Sequence, residues 1–122
     1  MNQSNFQIIF NQLRTFLKKH ENELIVKTDS EATYYLDSER VFQKNNKPYF
    51  FGSVSIKKNY VSYYLMPVYV FPELLDHISP ELKKRMQGKS CFNFKTNDEE
   101  LFEELGELTD QSFERFKKEG MI

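Results

Sequence analysis

The stretch from Tyr49 to Phe71 constrains the fold most, because its alternation of apolar and polar residues sorts into two clean faces in one register only. If Lys58-Asn59 forms a two-residue turn, Val54 faces Tyr63, Ile56 faces Val61 and Gly52 faces Leu65. The opposite face then pairs Ser53 with Tyr64, Ser55 with Ser62 and Lys57 with Tyr60. One face is apolar and the other is polar and aromatic. Slipping by one residue sets Ile56 against Tyr60 and mixes the faces, so pattern and turn length select the same hairpin. Pro72 ends its second strand.

Helices flank this hairpin. Phe6, Ile9, Phe10, Leu13, Phe16 and Leu17 recur at helical spacing, after a capping-box pattern at Ser4-Asn5-Phe6-Gln7. Lys18, Lys19 and His20 fall in the last turn, where the helix dipole favours cations. Between residues 21 and 48, Leu24-Ile25-Val26 and Thr33-Tyr34-Tyr35-Leu36 read as short strands, with Val41-Phe42-Gln43 a candidate third. Lys44-Asn45-Asn46-Lys47-Pro48 reads as a turn.

Beyond the hairpin, residues 73–78 suit a short helical turn. Ser79-Pro80-Glu81 then begins a helix, with Ser79 as N-cap and Gly88 closing it. Cys91 to Lys95 alternates as a strand with Phe92 and Phe94 on one face. Thr96-Asn97-Asp98-Glu99 opens a last helix, whose inner face carries Leu101, Leu105, Leu108, Ser112 and Phe116, flanked by Phe102 and Phe113. This order predicts one α+β domain over residues 1–122, an antiparallel sheet with the N- and C-terminal helices packed mainly on one face.

Composition bounds the function. The 122 residues include 12 Phe and 7 Tyr but no Trp, enough bulky rings to fill one core. With 17 basic and 18 acidic residues the net charge is −1, and no global phosphate-binding surface is implied, so nucleic acid is not an expected partner. The single cysteine, Cys91, excludes an internal disulfide and a cysteine zinc cluster. The first residues lack the basic region and cleavage site of a signal peptide, and no apolar run approaches the roughly 20 residues of a spanning helix. The expected setting is the cytoplasm, with no membrane association.

From Phe50 to about Phe116 the chain resembles the YdhG-like family of domain-of-unknown-function proteins. The resemblance is carried by a strand ending in Lys57-Lys58, a return strand from Tyr60, and Gly88-Lys89-Ser90 leading into Cys91-Phe92-Asn93-Phe94, followed by an amphipathic helix. Asn59 stands where members commonly carry a histidine. Some relatives are described as frataxin-like iron chaperones, so the resemblance implies iron as the alternative ligand.

Among candidate sites, the polar hairpin face comes first: Ser53, Ser55, Lys57, Tyr60, Ser62 and Tyr64, extended by Asn93 and Lys95 if their strand joins the sheet with Phe92 and Phe94 turned inward. Phenol rings offer flat contact, hydroxyls offer hydrogen bonds, and Lys57 can hold an anion; the plain counterpart is a solvated sheet face. Lys83, Lys84, Arg85 and Lys89 form a basic group that could bind phosphate or an acidic partner; its first three members fall in the last turn of a helix, where the dipole already explains cations. Glu100, Glu103 and Glu107, with Asp110 and Glu114, line the outer face of the last helix. They would hold ferrous iron loosely, or serve as an ordinary charged surface with Glu114 and Lys118 paired. His20 and His77 have no second ligand at metal-binding spacing, and Cys91 beside Phe92 reads as a packed side chain. No nucleophile elbow or phosphate loop appears. The expected function is a non-enzymatic binding module, without resident cofactor, taking a small ligand or protein partner on the hairpin face. The alternative is iron delivery through Glu100, Glu103 and Glu107.

Overall fold

The computed structural model describes residues 2–41 and 46–122, with side chains from residue 5 onward. These residues form a six-stranded antiparallel sheet in the order β1-β2-β3-β4-β6-β5. Its strands are β1 (Ile25–Asp29), β2 (Thr33–Val41), β3 (Pro48–Ile56), β4 (Val61–Leu65), β5 (Met86–Gln87) and β6 (Cys91–Phe94). Helices α1 (Asn2–Lys18) and α4 (Glu99–Lys118) pack together on one face, while the short helices α2 (Met66–Val70) and α3 (Pro80–Lys83) lead from β4 to β5. The domain is α+β, as the order of elements implies.

The hairpin forms in the expected register. Gly52 pairs with Leu65, Ser53 with Tyr64, Val54 with Tyr63, Ser55 with Ser62 and Ile56 with Val61. The Lys57 amide closes the turn by donating to the Tyr60 carbonyl at 2.8 Å. Val54, Val61, Tyr63 and Leu65 are buried under the helices; Ile56, near the turn, is only half-buried. Tyr34 and Leu36 of β2 and Phe92 and Phe94 of β6 continue this apolar face, which meets Ile9, Phe10, Leu13 and Leu17 of α1. From α4, Phe102 meets Phe94 edge-on at 5.0 Å, and Phe113 and Phe116 meet Phe51 edge-on. One polar contact crosses the core. Thr109 gives its hydroxyl proton to the Leu105 carbonyl, so the Tyr63 hydroxyl, 2.6 Å away, donates to Thr109 Oγ1.

Several local expectations are corrected. Helix α1 already runs at Ser4, so Ser4 is not its cap; Gln7 Nε2 instead donates to Asn11 Oδ1 and to the Glu31 carbonyl. The return strand stops at Leu65 and not at Phe71, because Pro67, which cannot donate to a ladder, is favoured in the first turn of α2. Ser79 does cap α3, accepting from the Leu82 amide at 3.1 Å, but the helix ends at Lys83. Met86 and Gln87 then leave it to pair with Phe92 and Cys91. Gly88, at φ 80°, therefore serves the β5–β6 turn and not a helix end. Asp98, two residues past Thr96, caps α4 by accepting from the Leu101 amide. Val41 ends β2 and does not begin a third strand, while Phe42, Gln43, Lys44 and Asn45 lie outside the described residues. Asn46 takes the left-handed backbone (φ 57°) expected of the turn.

Candidate ligand-binding site

Both long helices lie on the apolar side, which leaves the other sheet face open. Strand β6 joins β4 with Phe92 and Phe94 inward, so Asn93 stands directly across from Ser62 and Cys91 across from Tyr64. The expected platform is therefore continuous over β3, β4 and β6. Its members are not equally available. Lys57 and Lys95 are exposed, and Ser55, Tyr60, Tyr64 and Asn93 are half-buried. Ser53 and Ser62, expected to be solvated, are only 5% and 2% exposed. Short side chains in mid-sheet are overtopped by larger neighbours: Tyr64 and Tyr35 stand across from Ser53, and Asn93 across from Ser62.

A hydrogen-bonded chain fixes the β6 end. Ser62 Oγ donates to Asn93 Oδ1 at 2.8 Å, Cys91 Sγ donates to the same oxygen at 3.2 Å, and Asn93 Nδ2 donates to Gln87 Oε1 at 2.8 Å. The Tyr64 phenol is raised above its ordinary value by its own hydrogen-bonding and charge interaction with Cys91, aided by burial. A polar array tied at every member holds its shape before a ligand arrives.

Beside this chain is a hollow of about 450 Å³ lined by Tyr60, Lys84, Arg85, Met86, Gln87, Asn93 and Lys95. It unites three members of the expected platform with two residues of the basic group, Lys84 and Arg85. The geometry explains the union. Because α3 stops at Lys83, Lys84 and Arg85 form the connection into β5, and the Arg85 carbonyl accepts from the Asn93 amide at 2.8 Å. Met86 and Gln87 escaped the sequence reading because they were placed in the helix. Their alternation with Cys91 and Phe92 about the three-residue turn Gly88-Lys89-Ser90 was the available signal. Lys58, Asn59 and Lys95 border an adjoining hollow of about 330 Å³.

The charges separate by side. Arg14 pairs with Asp29, Lys19 with Asp110, Arg115 with Glu73 and Glu119, and Lys117 with Glu23, all around the helices or their edges. Lys84, Arg85 and Lys95 join no ion pair among the described residues, and the hollow they share has no carboxylate in its lining.

The remaining candidates scatter. Glu103 borders a groove between α1 and α4, whereas Glu107 borders a hollow with Glu73, His77 and Glu104; Glu100 is exposed and lines neither. Asp110 is held by Lys19 and by His20 Nε2 at 2.8 Å. Among the described residues no three His, Cys, Asp or Glu side chains converge as a metal site. Glu114 and Lys118 do not form the expected pair, since the ion pairs near that end use Arg115 and Lys117. His20 is structural, stacked on Phe113 at 4.1 Å. Among the described residues no helix is long and apolar enough to cross a membrane. No protein-family model, no curated protein and no solved structure matches this chain.

Proposed function

We propose that the chain is a non-enzymatic binding module whose ligand is a small organic anion, a phosphate or carboxylate carrying a flat body. The observation that carries this reading is the hollow over β5 and β6, where Lys84, Arg85 and Lys95 converge without an acidic partner among the described residues. Unpaired cations attract an anion from solution, and Arg85 suits the two oxygens of a phosphate or carboxylate. Tyr60 and Met86 offer apolar contact to the rest of the ligand, while Asn93 and Gln87, already locked to each other, present fixed polar edges. The serine and tyrosine platform beyond the hollow extends the contact for a larger ligand.

Phenyl phosphate tests the reading. Titrated into the isotope-labelled protein, it should move the amide signals of Tyr60, Gln87, Asn93 and Lys95 in a saturable way. Arg85→Ala should weaken binding by about tenfold, the loss of one charge-assisted hydrogen bond. Saturable shifts confined to α4, or equal affinity in the variant, would refute the assignment.

A further inference from the structure

At the other end of the open face, Asp37 is the only buried charged residue among the described residues, 8% exposed. Its flanking residues Leu36 and Ser38 are fully buried, Leu36 in the helix-side core and Ser38 bonded to the Met121 carbonyl. Alternation turns Asp37 to the open side, where it lies between Ile25 of β1 and Phe50 of β3. Register shifts flank it on both sides, between Val26 and Thr28 on one strand pair and between Leu36 and Asp37 on the other. Such irregularities re-aim side chains and concentrate beside functional sites. Next to it the half-buried rings of Tyr35 and Phe50 stack at 4.7 Å, 26° from parallel.

The carboxylate is bare. Glu21 accepts hydrogen bonds from Tyr34 and Lys18, Glu104 from Ser79, and Asp110 from Lys19 and His20. Among the described residues Asp37 accepts none, and Lys27 acts on it only through space, without an ion pair. A sheet face needing only a small polar filler would be served by a neutral side chain at no charge-burial cost. We propose that Asp37 and the Tyr35–Phe50 ring pair form a second site, for an organic cation of the guanidinium class. The carboxylate takes two N–H bonds in parallel, and the flat cation lies against the ring surfaces. Burial, which pushes the Asp37 carboxyl above its ordinary value, fits a group built to be completed by a positive ligand.

Methylguanidinium at millimolar concentration and neutral pH is the probe, read by amide and aromatic NMR signals of the whole chain. Saturable shifts should centre on Tyr35, Asp37 and Phe50. Tetramethylammonium, which has charge but no N–H, should bind about tenfold more weakly, because it cannot make the paired hydrogen bonds. Asp37→Asn should lose about tenfold for methylguanidinium, and Phe50→Leu, which spares the carboxylate, should also weaken it. Shifts that never saturate in the parent protein, or that saturate away from these three residues, overturn the proposal even if Asp37→Asn fails to fold. Equal binding of the two cations overturns the hydrogen-bonding role of Asp37. Phenyl phosphate is expected to leave these signals in place, so the two ends of the face are tested independently.

Discussion

Tyr63 and Thr109 form a buried polar pair whose two members are unequally exposed to loss. Thr109 keeps the Leu105 carbonyl as its acceptor in Tyr63→Phe, so that variant should cost only about 1 kcal/mol in urea unfolding. Thr109→Val instead strands the Tyr63 hydroxyl in the core and should cost more, about 1–3 kcal/mol. At Gly52 the constraint is space. A Cβ there would sit 2.9 Å from the Tyr64 carbonyl oxygen and 3.0 Å from Leu17 Cδ2, and backbone cannot yield as a side chain can. Gly52→Ala should therefore destabilise by about 1–3 kcal/mol, an overpacking cost. Ile56→Ala should fall at or below the lower end of the roughly 2–5 kcal/mol seen for buried truncations, since Ile56 is half-exposed, and Ser55→Ala should change almost nothing. At this scale the pairing of Val54 with Tyr63 and Ile56 with Val61 was legible, because period-two alternation and a two-residue turn point to one register. Asp37 was not: the strand read from the sequence stopped at Leu36, and an aspartate one residue later carries no apolar signal.

The helices that carry a long apolar stripe were legible, since burial and periodicity agree from Phe6 to Leu17 in α1 and from Leu101 to Phe116 in α4. The segment between β4 and β6 was not, because its local signals are ambiguous. A glycine with positive φ ends a helix or turns a hairpin equally well, and only the unpaired edge of β6 decides for β5. Val68-Tyr69-Val70 looks like strand by propensity, yet Pro67 starts a helix there. Within this segment, one carboxylate from α4 ties down the start of α3. Glu104 Oε2 accepts from the Ser79 amide and Oε1 from the Ser79 hydroxyl, both at 2.6 Å. Glu104→Ala should leave the sheet intact but loosen α3, with amide hydrogen exchange at Leu82 and Lys83 accelerating by about tenfold or more. Unchanged exchange there would mean that Leu82 burial alone anchors the helix. Loosening α3 also frees Lys84 and Arg85, so the same variant should weaken phenyl phosphate binding.

Across the whole molecule, acid stability reflects carboxylates of two opposite kinds. Glu21 is held below its ordinary value by the hydrogen bonds of Tyr34 and Lys18, and Glu73 by a backbone hydrogen bond and by Arg115. For Asp110, burial pushes upward, but the hydrogen bonds from Lys19 and His20 prevail and the value falls. A group depressed in the folded state stabilises it above the unfolded pKa, and that stabilisation is lost as pH falls through the folded pKa. Asp37 runs the other way. Burial raises its carboxyl, so ionised Asp37 weakens the fold at neutral pH, and the penalty is relieved as pH falls through its raised value. That relief opposes the losses at Glu21, Glu73 and Asp110 as the solution is acidified. Asp37→Asn has no charge to relieve: its urea midpoint should lie above the parent's at neutral pH and should drop further than the parent's on acidification, because nothing offsets the losses. Tyr34→Phe, which removes the Tyr34 hydrogen bond to Glu21, should instead make the acid loss shallower. A parent and an Asp37→Asn variant with superimposable pH profiles would show that the carboxylate is not penalised by burial, and the case for a cation completing it would fall with that result.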